Sequence, residues 1–493
     1  MQNLFNKSVL VLGLGETGLS LLRYLKAQGA RVRVADSRSN PPGLAEAKKF
    51  VIEPLIHCGV FDDELFIGVE LIAISPGVPL SDPVVARAVA CGISVMGDIE
   101  LFAQHLTTHH APHTTKVIAI TGSNGKTTVT AMVEHLCKAA GKDVVAAGNI
   151  SPAVLDALMQ RGDKPPEVWV LELSSFQLET TVSLNADAAT VLNISEDHLD
   201  RYVGMEQYAA AKAHIYNGTE VQVLNRDDAL SLAMARNGCV QLTFGLSEPG
   251  NANDFGIVEK KGEVWLAQGK KSLLKTSELQ VAGLHNAANA LAALALCSAI
   301  DLPMPSMLAA LRSFKGLPHR VEQVAEINGV IYYDDSKGTN VGATVAALKG
   351  MGRKSVLIAG GEGKGQNFAP LNPVVAQHAR AVVLVGRDAE LIAAALRDSG
   401  VVVQRAQDME DAVQQATTLA QSGDAVLLSP ACASFDMFRN YAHRAEVFVQ
   451  AVQQIPPNPL FAAEGSLHSS GAPTGVPLAG AKGGAIEEGA WHR

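Results

Sequence analysis

A glycine-rich loop between an apolar run and a helix-like segment is the feature that most constrains the fold of this chain. The run KVIAIT (116–121) is followed by GSNGKTT and then by VTAMVEHL, whose apolar residues recur with a helical period. Such a loop directs backbone N–H groups and the helix N-terminus toward phosphate oxygens. In this setting Lys126 would reach the β- and γ-phosphates of a nucleotide and the Thr127 hydroxyl would face Mg²⁺.

The loop is a variant of the common phosphate-binding motif. A complete G-x-x-x-x-G-K-[ST] motif requires glycine at position 120, where this chain has Ile120, so the glycine-rich part begins at Gly122. The alternative interpretation is a tight strand-to-helix turn with a solvated lysine. Because a strand and a helix flank the loop, we favour phosphate binding.

Short apolar runs alternate with helix-period segments along most of the 493 residues. This pattern is typical of parallel α/β architecture, and the length predicts about three domains. We expect an N-terminal Rossmann-like domain (1–110), a central P-loop ATPase-like domain with a mostly parallel sheet (111–317) and a C-terminal Rossmann-like domain (318–455). The remaining segment (456–493) is rich in Gly, Ala, Ser and Pro and is predicted to be disordered.

Two shorter segments carry local predictions. Asn328-Gly329 lies between two β-rich runs and predicts a tight hairpin at the start of the third domain. Residues 105–113 contain four histidines without a clear period. Because no acidic residues flank these histidines, the segment is predicted to be a polar linker and not a metal site.

The composition restricts the class of protein. Hydrophobic residues make up 47% of the chain and charged residues 18%, which is enough apolar surface for a globular fold. No apolar segment reaches the roughly 18 residues of a membrane span, and the N-terminus lacks the pattern of a signal peptide. The net charge is −9 and no Lys/Arg block is present, which argues against nucleic-acid binding. We therefore expect a cytoplasmic protein without membrane insertion.

A second glycine pattern lies near the N-terminus. Gly13, Gly15 and Gly18 form G-x-G-x-x-G directly after an apolar run, and Asp36 ends the next run. Taken alone, this fingerprint suggests an NAD-dependent oxidoreductase. Because a stronger phosphate loop follows about 100 residues later, we interpret the first turn as a diphosphate site for a nucleotide-linked substrate. Close packing of a helix on a strand is the remaining alternative.

Polar residues follow two further apolar runs of the central domain. Glu172 ends VWVLE, and Asp197 and His198 follow the run ATVLNI. The carboxyl ends of parallel strands meet at the ligand-binding edge of a sheet. A carboxylate there is suited to hold Mg²⁺, and the acid–histidine pair favours a metal or catalytic role over a structural one.

Seven blocks of this sequence, in this order, resemble the Mur ligases over residues 8–452. The blocks are TGSNGKTT, LELSSFQLETT, NISEDHLDRY, GLHNAANALAA, LPHRVE, DDSKGTN and LSPACASFDMF. The second and the last are similar to those of the D-glutamate-adding members. A folylpolyglutamate synthase is the second candidate, and a nucleotide-driven switch or an NAD oxidoreductase are candidates of other classes.

The resemblance implies an ATP-dependent ligase of peptidoglycan precursor synthesis, acting in cell-wall formation and cell division. ATP would phosphorylate the alanine carboxylate of UDP-N-acetylmuramoyl-L-alanine, and the amine of D-glutamate would attack the acyl phosphate. This chemistry depends on alignment and charge neutralisation more than on covalent help from the protein. The expected cofactors are ATP and two Mg²⁺ ions, and the expected state is a monomer.

The resemblance also implies roles for individual residues. Catalytic roles would fall to Lys126, His198 and Lys212. Metal binding would involve Thr127, Glu172, His198 and Lys212, with Lys212 modified to a carbamate. ATP would be bound by Gly122, Ser123, Asn124, Gly125, Lys126, Thr127, Thr128, Asn286, Arg320 and Asp335, and Asn289 matches a neighbouring family position.

The resemblance also implies which residues bind the two other substrates. The UDP substrate would contact Gly15, Thr17, Gly18, Asp36, Ser37, Arg38, Ser75, Gly77, Asn149 and His198. D-Glutamate would contact Lys337, Thr339, Lys364, Ser434 and Tyr441.

Overall fold

The computed structural model describes residues 4–109, 115–199, 201–281 and 283–456. Three α/β units follow one another along the chain, each built on a largely or wholly parallel sheet. The predicted fold class is confirmed. None of the helices in the described part of the chain combines the length and the apolar character that a membrane span requires.

The first unit is a five-stranded parallel sheet. Its strands are β1 (Ser8–Leu12), β2 (Arg31–Asp36), β3 (Ile56–Cys58), β4 (Leu71–Ile74) and β5 (Ser94–Met96). Its helices are α1 (Glu16–Ala27), α2 (Leu44–Ala47), α3 (Pro83–Ala90) and α4 (Asp98–His109). The strand order β3-β2-β1-β4-β5 brings the carboxyl ends of β1 and β4 together, which is the switch point where such sheets bind ligands.

Helix α4 corrects the prediction for residues 105–113. The helix continues to His109, so the predicted polar linker is wrong for 105–109, whereas 110–113 lie outside the described residues. The hydroxyls of Thr107 and Thr108 donate to the carbonyls of Ala103 and Gln104, one turn earlier. Leu106 packs on the apolar core. Local hydrogen bonds and one partly buried side chain therefore extend a helix whose sequence shows no clear helical period.

The central unit contains a six-stranded parallel sheet of order β11-β10-β9-β6-β8-β7 and an antiparallel sheet of three strands. The parallel strands are β6 (Lys116–Thr121), β7 (Val144–Gly148), β8 (Val168–Glu172), β9 (Ala188–Val191), β10 (Val221–Asn225) and β11 (Val240–Phe244). The antiparallel strands, absent from the sequence prediction, are β12 (Phe255–Lys260), β13 (Glu263–Gln268) and β14 (Lys271–Lys275). The helices are α5 (Lys126–Ala139), α6 (Val154–Arg161), α7 (Ser175–Leu178), α8 (Met205–Ala213), α9 (Ala229–Leu232), α10 (Leu284–Ala299) and α11 (Met304–Ser313).

The first two units share one apolar core. Val117 and Ala119 of β6 face the cluster that also contains Leu21, Leu25 and Phe102 of the first unit. Ile118 and Ile120, on the opposite face of the same strand, pack in a second cluster with α5, α10 and α11. Successive side chains of a strand point to opposite faces of the sheet, so this alternation shows that β6 is buried on both faces. The shared core fixes the first unit on the second.

The third unit has separate cores on the two faces of its sheet. Its strands, in the order β15-β16-β20-β17-β18-β19, are β15 (Glu322–Ile327), β16 (Val330–Asp334), β17 (Ser355–Gly360), β18 (Ala379–Val385), β19 (Val402–Arg405) and β20 (Ala425–Leu428). Its helices are α12 (Val341–Gly350), α13 (Leu371–His378), α14 (Ala389–Ala395), α15 (Met409–Leu419) and α16 (Tyr441–Gln453).

The predicted hairpin at the start of the third unit is confirmed. Strands β15 and β16 pair antiparallel, and Asn328 and Gly329 between them have φ angles of 56° and 74°. Positive φ at both positions is what a two-residue hairpin of this twist requires. The boundary predicted at residue 110 falls outside the described residues, as does the tail predicted for 456–493 except its first residue, and the domain boundaries stay predictions.

Candidate active site

The phosphate loop joins the end of β6 to the start of α5. Gly122 and Gly125 have φ angles of 148° and 84°, which disfavour any residue with a side chain. A Cβ atom on Gly122 would lie 3.0 Å from the Cβ of Leu192, and one on Gly125 would lie 2.8 Å from the Oδ1 of Asn289. The two glycines therefore allow both the turn and its close approach to neighbouring segments.

Asn193, just after β9, holds the loop through its backbone and its side chain. The carbonyl of Asn193 accepts a hydrogen bond from the N–H of Ser123 at 2.8 Å. Its Oδ1 accepts from the N–H of Asn124 at 2.9 Å, and its Nδ2 donates to the carbonyl of Asn124 at 3.0 Å. These three bonds fix the centre of the loop on the adjacent strand end.

Lys126 begins α5 and turns back over the loop. Its Nζ donates to the carbonyls of Gly122 at 2.8 Å and Ser123 at 3.0 Å. Burial lowers the pKa of Lys126, while the nearby carboxylates of Glu172 and Asp197 oppose that change. The side chain thus stands at the centre of the loop with a charge that an anionic ligand would stabilise.

Lys212 of α8 reaches the same loop from beneath and is 1% exposed. Its Nζ donates to the Gly122 carbonyl at 3.0 Å and to the Thr121 hydroxyl at 3.2 Å. Burial, and next the charge of Lys126, hold the pKa of Lys212 well below its usual value. A neutral lysine amine is a nucleophile, whereas a solvated ammonium is not.

A short hydrogen-bonded chain connects the loop to Tyr208, one turn before Lys212. The Ser123 hydroxyl donates to the carbonyl of Ser195 at 3.0 Å and accepts from the N–H of Ser195 at 2.9 Å. Because its only proton is already used, the hydroxyl of Tyr208, 3.1 Å away, must be the donor in the remaining bond. The Lys212 Nζ lies 4.8 Å from the centre of the Tyr208 ring.

Glu172 ends β8 and is 2% exposed. Its Oε1 accepts a hydrogen bond from the Nδ2 of Asn149 at 2.9 Å, whereas its Oε2 is buried without a hydrogen-bond partner among the described residues. An unpaired buried carboxylate oxygen is costly unless a ligand completes it. Mg²⁺ prefers oxygen ligands, so the Oε2 of Glu172 has the chemistry that fits this ion.

His198 follows the same strand end as Asn193. It has a φ angle of 54°, an uncommon value for a residue with a side chain, and strain of this kind clusters at functional sites. The Nε2 of His198 lies 3.7 Å from the Oδ2 of Asp197, and its ring centre lies 4.7 Å from that of Phe176. The ring is thus positioned by an acid on one side and an aromatic edge on the other.

One cavity of about 270 Å³ opens beside the phosphate loop, between the central and third units. Residues predicted to bind ATP that line it are Asn124, Gly125, Thr128, Asn286, Arg320 and Asp335, and the neighbouring Asn289 also lines it. Gly122, Ser123, Lys126 and Thr127 belong to the loop without lining this cavity. Arg320 contacts the loop directly, since its Nη2 donates to the Thr127 Oγ1 at 2.8 Å.

A second cavity of about 560 Å³ lies between the first and central units. Residues predicted to bind the UDP substrate that line it are Gly15, Thr17, Asp36, Ser37, Arg38, Ser75, Gly77 and Asn149. Gly18 and His198 do not line it. A Cβ atom on Gly18 would lie 1.8 Å from the carbonyl oxygen of Gly13, so this glycine serves the close packing of α1 on the turn.

The residues predicted to bind D-glutamate all belong to the third unit. Lys337 lines the smaller cavity, and its Nζ lies 5.0 Å from the centre of the Tyr441 ring. The segments that carry Lys364 and Ser434 are joined by paired backbone bonds of 2.9 Å between Glu362 and Ala433. Thr339, Lys364, Ser434 and Tyr441 line neither of the two cavities.

Sequence reasoning missed several residues of the site. Asn193, Ser195 and Tyr208 build the loop's hydrogen bonds, and Gln177 lines the larger cavity. Asn193 could have been found, because it lies two residues after β9 at the edge where Glu172 was identified. Asn225 and Phe244, the last residues of β10 and β11, line the smaller cavity with Asp227 of the loop after β10, and no local pattern marked them.

Three family models match the chain in succession. The N-terminal domain of Mur ligases of the MurD-like type matches residues 7–97, the Mur ligase middle domain matches 120–297, and the Mur ligase glutamate ligase domain matches 319–432. The order of the models follows the order of the three α/β units.

Individual relatives of the chain indicate the same family as the three domain models. UDP-N-acetylmuramoylalanine–D-glutamate ligases from Nitrosomonas europaea and Methylobacillus flagellatus are 58% and 59% identical to this chain. The alignments cover 92% of this chain and 97% and 98% of those proteins.

Solved structures share the fold at low identity. A UDP-N-acetylmuramate–alanine ligase from Thermotoga maritima has a TM-score of 0.56 at 19% identity, covering 90% of this chain and 99% of that one. A pseudomurein peptide ligase type C from Methanothermus fervidus has a TM-score of 0.56 at 20% identity, covering 92% and 100%. With three domain models in order and relatives more than half identical over nearly their whole length, this chain belongs to the Mur ligase family.

Proposed function

We propose that this chain uses ATP to join D-glutamate to UDP-N-acetylmuramoyl-L-alanine, releasing ADP and phosphate. The observation that carries the proposal is a phosphate loop that borders one cavity, together with a second cavity that reaches the neighbouring residue Asn149. Asn124 and Gly125 of the loop line the smaller cavity, which suits ATP. Asn149 lines the larger cavity and donates to Glu172, so the second cavity adjoins the candidate metal site.

The larger cavity has the chemistry of a UDP-linked substrate. The turn that begins at Gly13 offers backbone N–H groups to a diphosphate. Asp36 accepts hydrogen bonds from the N–H of Leu14 at 2.7 Å and from Arg38, and this pair holds the guanidinium at the cavity wall. Since Asn149 and Gln177 of the central unit also line the cavity, the acyl end of the substrate would extend toward the phosphate loop.

The first chemical step forms an acyl phosphate. A carboxylate oxygen attacks the γ-phosphorus of ATP and ADP leaves, so the carbonyl carbon becomes a reactive electrophile. Lys126 leaves the loop carbonyls to contact the transferring phosphoryl group. When bound, Mg²⁺ would supply further charge neutralisation. Thr127 and Glu172 would hold one ion, and His198 with modified Lys212 would hold a second.

Lys212 becomes an anion by reaction with carbon dioxide in this proposal. The neutral amine attacks the carbon of CO₂, a N–C bond forms, and one proton leaves to solvent, giving a carbamate. The buried amine with its lowered pKa suits this reaction, since only the unprotonated form is nucleophilic. The modification places an anionic metal ligand near Lys126 in place of a neutral amine.

The third unit supplies D-glutamate. Lys337, Thr339, Lys364 and Ser434 offer cationic and hydroxyl groups for two carboxylates, and Tyr441 borders Lys337. The amine of D-glutamate attacks the acyl carbon and phosphate leaves, forming the amide. We also propose that the chain works as a cytoplasmic monomer in peptidoglycan precursor synthesis.

Phosphate release in the presence of UDP-N-acetylmuramoyl-L-alanine, ATP and Mg²⁺ tests the function. D-Glutamate should stimulate release, whereas L-glutamate, diaminopimelate, and folate with glutamate should not. Release only with folate and glutamate would identify a folylpolyglutamate synthase. Slow release that ignores every amino acid would indicate a nucleotide switch, and NAD binding without release would indicate an oxidoreductase.

A further inference from the structure

One side-chain hydrogen bond joins the third unit to the centre of the phosphate loop. The Nδ2 of Asn340, at the start of α12, donates to the Oδ1 of Asn124 at 3.0 Å. Asn340 is 7% exposed, whereas Asn124 is half-buried and lines the smaller cavity. The bond connects residues 216 positions apart in the sequence.

The orientation of both amides follows from their other partners. The Oδ1 of Asn340 accepts from the N–H of Ala343 at 2.8 Å and caps α12, so its Nδ2 must face Asn124. The Nδ2 of Asn124 donates to the Ser195 Oγ at 3.2 Å, which leaves its Oδ1 to accept. Each side-chain amide thus uses one of its two polar atoms for a bond within its own unit and the other for the bond between the second and third units.

The first turn of α12 also touches the loop sterically. A Cβ atom on Gly342 would lie 2.8 Å from the Ser195 Oγ and 3.1 Å from the Asn124 Nδ2. A side chain there would displace α12 from the loop. The contact therefore requires the third unit to stand in one position relative to the second.

The hydrogen bond between Asn340 and Asn124 is the first of a series of contacts that reaches Lys212. Asn124 contacts Ser195, Ser195 contacts Ser123, and Ser123 accepts from Tyr208, whose ring lies beside Lys212. On the other side, Thr339 directly precedes Asn340. A single amide thereby joins the loop that holds nucleotide phosphates to the segment proposed to hold the incoming amino acid.

We propose that Asn340 is a positioning residue that aligns the third unit on the phosphate loop for the second half-reaction. This inference rests on the proposed function and adds to it the device by which the amine donor is brought to the activated carboxylate. When the bond forms, the Asn124 amide and the Thr339 segment are oriented together. When it is absent, the amino acid can bind while its amine is misaligned.

Asn340→Ser separates this role from helix capping. Serine caps a helix about as well as asparagine but is too short to reach Asn124. We expect kcat/KM for D-glutamate to fall about tenfold, the effect of losing one partly buried hydrogen bond between the units and leaving an acceptor unpaired. The dissociation constant of the UDP substrate, measured by calorimetry, should not change. Asn340→Thr is a second variant that keeps the cap.

Asp408→Ala is the matched control, because Asp408 caps α15 in the same unit through the N–H of Asp411 at 2.8 Å. It should lower the melting temperature without selective loss toward D-glutamate. In an Asn124→Ala background, adding Asn340→Ser should cost nothing further, since the shared bond is already absent.

Wild-type kcat/KM for D-glutamate in a folded Asn340→Ser or Asn340→Thr protein overturns the inference. So does a loss no larger than that of Asp408→Ala, which would assign Asn340 a capping role alone. Either result leaves the proposed function intact if the wild-type chain still releases phosphate in response to D-glutamate. Absence of that response in the wild-type chain would instead refute the function itself.

Discussion

The Nζ of Lys212 lies 3.0 Å from the carbonyl oxygen of Gly122, and the Nζ of Lys126 lies 2.8 Å from the same oxygen. Two lysines thus share one acceptor in a region that is largely closed to water. Each lowers the stability of the other's positive charge, because like charges at short range repel. The arrangement suits a site in which one lysine remains a cation for phosphate and the other loses its charge.

Lys126→Ala should reduce ligase activity by about a hundredfold or more, because a cation aimed at the transferring phosphoryl group would be lost. Phosphate release measures the activity, and circular dichroism checks the fold. Lys138→Ala is the matched control on the same helix, since Lys138 is exposed and pairs with Glu134. Near-normal turnover in a folded Lys126→Ala protein would refute the assignment of the phosphate loop.

Lys212 should carry a carbamate in the active enzyme. Carbon-13 NMR of protein equilibrated with labelled bicarbonate should show one slowly exchanging carbamate signal. The signal should vanish in Lys212→Met. An unmodified Lys212 in active, Mg²⁺-bound enzyme would contradict the proposal.

Arg38→Ala should raise the KM for UDP-N-acetylmuramoyl-L-alanine roughly tenfold and leave the KM for ATP unchanged, because charge-assisted hydrogen bonds at the larger cavity are lost. Arg87, paired with Asp63 on the surface of the same unit, provides the control Arg87→Ala. Calorimetry should detect binding of UDP and no binding of NAD to the wild-type chain. The reverse preference would support a dehydrogenase.

Thr339→Ala, Lys364→Ala and Ser434→Ala should each raise the KM for D-glutamate much more than the KM for the UDP substrate. The hydroxyls and the cation removed would otherwise bind the two carboxylates of the amino acid. Thr418→Ala on α15 is the control, because its hydroxyl bonds only within its own helix among the described residues. If all three variants keep the wild-type KM for D-glutamate, the amino-acid pocket lies elsewhere.

Asp335→Asn should change the pH dependence of stability in the absence of nucleotide. Burial raises the pKa of Asp335 from 3.8 to about 7. The folded state therefore holds this proton more tightly than the unfolded state, and the wild-type chain loses stability as pH rises from about 4 through about 7. Thermal melts across this range should show a smaller decline in Asp335→Asn. Parallel curves for the two proteins would disprove the shift.

The sequence predicted those parts of the site that depend on local pattern. A phosphate loop needs only a strand, two glycines and a helix in succession, and Glu172 needs only its position at a strand end. The family resemblance added residues from distant segments, of which Arg320 and Asp335 do line the same cavity as Asn124. Glu172 lies near the phosphate loop because parallel strands end at one edge of a sheet, whereas the binding roles of all these residues stay predictions.

The hydrogen bond between Asn340 and Asn124 was not predicted from the sequence. It depends on how the third unit stands on the second, and the block DDSKGTN, which ends at Asn340, was linked only to substrate binding. The extension of α4 was missed because Thr107 and Thr108 disfavour helices by propensity, yet their hydroxyls bond within the helix here. Tertiary context decided the first case, and hydrogen bonds within the helix together with the packing of Leu106 decided the second.

The bond from Arg320 to Thr127 has a consequence for the segment that connects the second and third units. Connecting segments usually tolerate added residues, because a longer loop costs little entropy. This one, between the end of α11 at Ser313 and the start of β15 at Glu322, must also deliver a guanidinium to a fixed hydroxyl. One inserted residue before Arg320 could shift it by up to about 3.5 Å, more than the tolerance of a hydrogen bond. The connecting segment therefore sets a distance as well as linking two units, and the position of the Thr127 hydroxyl constrains its length.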